Sequence, residues 1–243
     1  MSRGLVRLPA PEMILIDLDG TLVDTVPDLA DAVNAMLQAL GMTPHPEARV
    51  REWIGNGAER LVRRALVGRY EGEPPEELFQ RGYPIFLQAY QENVCRRSRP
   101  FPGVEAGLKA LEAAGYPLAC VTNKPARFTE PLLEQLGLDR YFRLVVSGDT
   151  LPRKKPDPAP LLHAARFFGV APQNALMVGD SINDVQAARA AGFRVVCVPY
   201  GYNHGQDIRE ARPDAVVDSL AQLPDLLAPR DATDAERIAE RGG

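Results

Sequence analysis

Five short apolar runs constrain this chain more than any other feature: MILID (13–17), PLACVT (117–122), RLVVSG (143–148), ALMVGD (175–180) and RVVCVP (194–199). Their apolar residues are continuous rather than alternating, the pattern of strands covered on both faces, as in a parallel sheet. A shorter sixth run begins at Ala215. Helical patterns lie between the runs. Val104, Leu108 and Leu111 repeat at helical spacing up to Gly115, residues 159–168 end at Gly169, and residues 185–191 end at Gly192, glycine being a usual helix stop. Strand–helix–strand repetition predicts an α/β fold with a doubly wound, Rossmann-like parallel sheet as its core.

One region breaks this rhythm. Residues 25–99 carry helical periodicity and no convincing strand. Thr25 with Asp28 three positions later predicts a capping box, with Pro27 in the first turn. Leu29, Val33, Met36, Leu37 and Leu40 then line one face as far as Gly41. A second helix is expected after IGNG (54–57) and a third over about 76–93. The chain returns through RPFPGV (99–104), whose prolines and glycine read as a rigid re-entry. The expected organisation is a catalytic core of residues 11–24 and 100–228, an all-helical cap domain of residues 25–99 inserted in it, and flexible tails at 1–10 and 229–243.

Charge and cysteine usage narrow the function classes. With 28 basic and 32 acidic residues the 243-residue chain has a formal net charge of -4, which argues against nucleic-acid or anionic-membrane partners. No stretch approaches the eighteen or so apolar residues of a membrane span, and no long apolar core follows the N-terminal arginines as in a secretory signal. Cys95, Cys120 and Cys197 are far apart, the latter two inside apolar runs, which suits free buried thiols and a cytoplasmic location. No heptad pattern fixes an assembly, so a monomer or a homodimer is expected.

The ends of the apolar runs carry the chemistry. The first delivers Asp17 and Asp19, the second Thr122 and Asn123, and the fourth Asp180 and Asp184, while a loop after the third carries Lys154 and Lys155. In open α/β sheets the carboxyl ends of the strands form the ligand crevice, so these groups are expected to converge. Close carboxylates are costly unless a cation sits among them or one holds a proton, and Asp17, Asp19 and Asp180 are the hard oxygen donors that Mg²⁺ prefers. Thr122 and Asn123, ahead of Pro125 in a first helical turn, offer a hydroxyl and backbone N–H groups to an anion. Lys155 adds a point charge suited to phosphate, and Gly20 permits a tight turn beneath the site. In the helical region, Gly55, Asn56 and Gly57 ahead of a helix could form a backbone nest for a carboxylate, with Arg60, Arg63 or Arg64 nearby; a plain turn with a solvated arginine face is the other reading. His45, His163 and His204 lack metal-ligand spacing.

DLDGT (17–21), VTNK (121–124), KKPDP (154–158) and GDSIND (179–184) together resemble the four motifs of the haloacid-dehalogenase superfamily of phosphohydrolases, in the same order. The inserted helices resemble the cap that this superfamily places between its first and second motifs. At finer grain REWIGNGAERLVRRAL, VTNKPARF, GDTLPRKKPDPAPLL and YGYNHG resemble the bacterial branch that acts on 2-phosphoglycolate. The resemblance implies that Asp17 is the nucleophile, passing through an aspartyl-phosphate, and Asp19 the general acid and then base. It implies Mg²⁺ held by the Asp17 and Asp180 carboxylates and the Asp19 carbonyl. Thr122 and Lys155 would hold the transferring oxygens, and Asp184 would support Lys155 or the metal shell.

Alternatives remain at this point. A dehalogenase has no need of Asp19, and a phosphonatase of this superfamily needs a cap lysine, which residues 25–99 lack. A phosphatase of a sugar phosphate such as N-acetylmuramic acid 6-phosphate, a phosphoglucomutase, or a catalytically silent phosphate-binding protein would share most of the motifs.

Overall fold

The structure is a computed structural model that describes residues 7–229. Strands β1 (Met13–Ile16), β4 (Leu118–Val121), β5 (Leu144–Val146), β6 (Ala175–Gly179), β7 (Arg194–Cys197) and β8 (Ala215–Val216) form one sheet in the order β5-β4-β1-β6-β7-β8, every pairing parallel. Each of the apolar runs became a strand. The central strand, β1, sets Ile14 opposite both Leu118 and Leu176, and the chain turns from one side of β1 to the other between β5 and β6. That reversal opens a crevice at the strands' carboxyl ends.

Alternation along β1 explains why both faces are apolar. Ile14 and Ile16 pack into a layer with Leu108 and Leu111 of α5 (Val104–Ala113) and Leu132 of α6 (Ala126–Leu136). Met13 and Leu15 pack on the other side with Leu161 of α7 (Ala159–Phe168) and Ala188 of α8 (Ile182–Ala191). The short helix α9 (Leu223–Leu226) closes the first layer through Leu223.

The helical insertion leaves and rejoins the core through a two-stranded antiparallel neck, β2 (Val23–Asp24) against β3 (Arg99–Pro100). No sequence pattern announced this neck, because two-residue strands have no apolar run. Beyond it come α1 (Val26–Ala39), α2 (Glu47–Arg51), α3 (Ala58–Val67) and α4 (Glu76–Glu92). Helix α2 was also not anticipated; only Val50 of its five residues is buried, too little for a periodic signal. Helices α1 and α4 approach closely at Gly82, where a Cβ would lie 3.1 Å from Leu40 and 3.2 Å from the Met36 sulfur.

Two expectations are corrected. The capping box at Thr25 and Asp28 does not form: Thr25 makes no side-chain cap, and its buried hydroxyl has no partner. Asp28 instead accepts from the backbone N–H of Arg97 (2.8 Å), the N–H of Ser98 (2.7 Å) and the Ser98 hydroxyl (2.6 Å). A long-range demand for carboxylate oxygens outcompeted the local one. Leu8, which lies in the expected N-terminal tail, is instead tied to the core: it bridges Leu227 through Leu8 N–H to the Leu226 carbonyl (2.9 Å) and Ala228 N–H to the Leu8 carbonyl (2.8 Å). The tail readings for 1–6 and 230–243 lie outside the described residues. No helix among the described residues is long and apolar enough to cross a membrane.

Asp28→Ala leaves those donors without their acceptor, so urea unfolding is expected to show a loss of about 3 kcal/mol. Thr25→Val is expected to cost less than about 1 kcal/mol, because its hydroxyl caps nothing; a working capping box would make Thr25→Val costly.

Candidate active site

Backbone bonds of the sheet deliver the site. Asp17 N–H donates to the Val178 carbonyl (2.9 Å) and Thr122 N–H to the Val146 carbonyl (2.9 Å), so both leave their strands in register with neighbours. After β1 the chain turns back at once: the Leu18 carbonyl accepts from Leu22 and Val23 N–H, each at 3.0 Å. Gly20 sits in this turn with φ +87°, and a Cβ there would stand 2.3 Å from Asp180 Oδ2. Glycine is therefore required on conformational and on steric grounds.

Asp17, Asp180 and Asp184 are buried and present oxygens within 4.8 Å of one another. Lys155, 2% exposed, is the cation among them. Its ammonium lies 2.9 Å from Asp17 Oδ1 and 2.7 Å from Asp184 Oδ1, and donates to the Val121 carbonyl at 2.7 Å. Asp184 Oδ2 accepts from Asp180 N–H (3.2 Å), Ser181 N–H (3.1 Å) and the Ser181 hydroxyl (2.8 Å), closing a capping box on α8. Asp184 is thus committed to structure and to Lys155. Asp180 accepts from the Thr21 hydroxyl (2.6 Å) and from Tyr202 N–H (2.6 Å).

The electrostatics are unbalanced. Burial raises the Asp17 carboxyl to about 7, with Lys155 pulling down and Asp184 pushing further up. Burial, then the Asp184 and Asp17 charges, hold Asp180 well above the carboxylate range. Burial would depress Lys155, but Asp17 and Asp184 outweigh it and raise the ammonium's pKa. Three buried carboxylates around one ammonium leave an excess of negative charge that a divalent cation with oxygen preference neutralises. The donor set fits Mg²⁺.

Asp19 stands apart from this cluster. Its carboxylate takes two contacts from the Lys124 ammonium, at 3.1 and 3.3 Å, and Lys124 also donates to the Tyr90 hydroxyl (2.5 Å) of α4. Asp17, Asp19, Thr122, Asn123 and Lys124 give a cavity its polar lining, and Leu29, Ile54, Leu61 and Phe86 from the insertion, with Phe128, give it an apolar one. It leaves about 40 Å³ for the centres of water-sized particles.

The structure brings Gly55 and Gly57 to this cavity but turns Asn56 away, its amide reaching Asn183 Oδ1 at 3.4 Å. The Gly55 carbonyl accepts from Asn123 Nδ2 (3.0 Å) and Asn183 Nδ2 (3.3 Å), tying the helical insertion to the core. The expected arginine partners do not arrive. Arg60 pairs with Glu73, Arg63 with Glu76 (3.1 Å), and Arg64 is buried against the Trp53 and Tyr70 carbonyls (2.8 and 3.1 Å). Residue type alone missed Lys124, Tyr202, Asn183 and Gly201. For Lys124 the signal was available, since it closes the same VTNK motif. Gly201 and Tyr202 lie in YGYNHG, a stretch already singled out, but only the structure shows the contact: a Cβ at Gly201 would lie 2.3 Å from the Asp180 side chain. His45 and His204 make packing contacts, with the Ala65 carbonyl (3.0 Å) and the Glu52 carbonyl (3.0 Å).

The model of the haloacid dehalogenase-like hydrolases matches residues 11–192. The chain belongs to this family. It is 58% identical to a phosphoglycolate phosphatase of Nitrosococcus oceani over 221 residues, 91% of this chain and 98% of that one. A phosphoglycolate phosphatase of Nitrosospira multiformis is 51% identical over 223 residues, 91% of this chain and 98% of the relative. Among solved structures, a predicted phosphoglycolate phosphatase of Haemophilus somnus superposes with a TM-score of 0.84 at 41% identity, covering 88% of this chain and 97% of that one. As a haloacid dehalogenase-like hydrolase, the chain carries all four motifs at one crevice.

Asp17 has a folded pKa of about 7 against an ordinary 3.8. A raised pKa means that the folded state holds the proton more tightly, so the contribution is full below about pH 4 and is lost as pH rises through about 7. In metal-free protein this makes stability fall by up to about 1.4 kcal/mol per pH unit across that window. Urea titrations of wild type and Asp17→Asn at pH 5 and pH 8 check it: the Asn variant is expected to lose less stability between the two.

Proposed function

We propose that this haloacid dehalogenase-like hydrolase is a Mg²⁺-dependent phosphoric monoester hydrolase that splits 2-phosphoglycolate into glycolate and phosphate. The observation that carries the reading is the excess of buried carboxylate at Asp17, Asp180 and Asp184 around Lys155, beside a small cavity that Asp17 and Asp19 share. The names of the relatives, at 58% and 51% identity, support the substrate.

In this reading Asp17 attacks phosphorus and forms an acyl phosphate as the ester P–O bond breaks. Asp19 protonates the departing alkoxide, then takes a proton from the water that cleaves the acyl phosphate and restores Asp17. Thr122 and Lys155 steady the phosphoryl oxygens, aided by Asn123 and the Gly20 turn. The carboxylates of Asp17 and Asp180 and the main-chain carbonyl of Asp19 would hold Mg²⁺, which would supply charge neutralisation to the phosphoryl group. Residues 25–99 act as a cap over a core of residues 11–24 and 100–228, excluding water around a small ester. The free thiols Cys95, Cys120 and Cys197 support a cytoplasmic setting, and a monomer or homodimer is the expected state.

Phosphate release from 2-phosphoglycolate, glucose 1-phosphate and N-acetylmuramic acid 6-phosphate, with and without Mg²⁺, tests it. The expected outcome is a clear preference for 2-phosphoglycolate, dependence on the metal, and a loss of roughly 10⁴-fold or more in Asp17→Asn. Faster release from a sugar phosphate discards the substrate, and full activity in Asp17→Asn discards the mechanism.

A further inference from the structure

The cavity has an asymmetry that the hydrolytic reaction does not require. Among the described residues lining it, Lys124 is the one cationic side chain, and the insertion contributes an apolar wall with no lysine anywhere in residues 25–99. Lys124 is 5% exposed, so its ammonium is not a solvated surface charge. Its backbone is held on both sides: Lys124 N–H donates to the Thr122 hydroxyl (3.2 Å), and its carbonyl accepts from Gly148 N–H (2.8 Å) and the Thr129 hydroxyl (3.1 Å). The ammonium also lies 4.6 Å from the centroid of the Tyr90 ring, which packs against Phe128.

We propose that Lys124 is the specificity-determining residue for an acid group on the leaving side of the substrate. The inference rests on the reading of Asp17 and Asp19 given above. If Asp17 attacks phosphorus in line, the departing oxygen lies on the side of Asp19, and the cation bound to Asp19 is therefore beside the leaving group. In 2-phosphoglycolate the carboxylate is attached one methylene beyond that oxygen. Lys124 has three donor protons on a compact charge and can serve Asp19 and a substrate carboxylate together. Arg60 and Arg63, the other candidates by sequence, are engaged with Glu73 and Glu76 outside the cavity, and Arg64 is spent on backbone carbonyls. A carboxylate placed against the apolar wall instead would be desolvated without a partner, which is costly.

The test compares two esters that differ in the acid group alone: 2-phosphoglycolate and ethyl phosphate, which carries a methyl in its place. Wild type is expected to prefer 2-phosphoglycolate in kcat/KM. In Lys124→Met that preference is expected to shrink by roughly 100-fold, mostly through KM, because a buried charge partner has been removed. Ethyl phosphate falls too, through the Asp19 contact, but by a smaller factor. Lys124→Gln, which keeps a donor for Asp19 without the charge, provides the same ratio should the methionine variant not fold. An equal fall for both esters makes Lys124 a positioning residue for Asp19 alone and overturns the inference; an unchanged ratio overturns it as well. If wild-type protein releases no phosphate from 2-phosphoglycolate, the substrate reading itself has failed, which is a different result from a persistent preference in the variant.

Discussion

Burying three carboxylates within a few ångströms is the constraint on which the rest of this structure depends. Lys155 answers part of it, its ammonium lying within hydrogen-bond distance of Asp17 after β1, Asp184 in α8 and the Val121 carbonyl at the end of β4. A single ammonium thereby ties the first, second and fourth motifs together. Its compensation is incomplete, which leaves Asp17 protonating near neutrality in the absence of further positive charge. The residual negative charge is what makes this structural cluster a candidate cation site.

Close packing fixes the rest of the geometry. Gly20 and Gly201 press on Asp180 from two sides, each with room for no Cβ, so this carboxylate has little freedom to move. The loop that contains Gly201 continues to Tyr202, whose backbone N–H holds Asp180 while its hydroxyl donates to Asp24 (2.6 Å) and accepts from Thr25 N–H (2.9 Å). Asp24 belongs to the neck of the helical insertion, and Arg51 of α2 reaches it at 3.2 Å. The position of the insertion is therefore mechanically linked to a carboxylate of the site. Asn123 makes a second link, between the Gly55 carbonyl in the insertion and the Lys155 carbonyl (2.9 Å) in the core.

Much of the sheet was legible because its strands are covered on both faces, and continuous apolar runs have few other stable uses. The residues that follow those runs were legible for a topological reason: parallel strands all end at the same edge, so Asp17, Thr122 and Asp180 had to meet. Shorter features were opaque. The neck strands and α2 bury too few side chains to leave a period, and the expected capping box lost to Asp28's bonds with Arg97 and Ser98, about seventy residues away.

The sequence by itself determined the fold class, the meeting of the motif residues at one crevice, and the excess of acidic groups there, because each follows from strand burial and residue chemistry. Only the tertiary structure decided how those charges are shared. It assigned Lys155 to Asp17 and Asp184, Lys124 to Asp19 and Tyr90, and the arginines of α3 to glutamates and backbone carbonyls away from the cavity. Ion pairs depend on distances between segments remote in the chain, and local spacing carries no information about those distances.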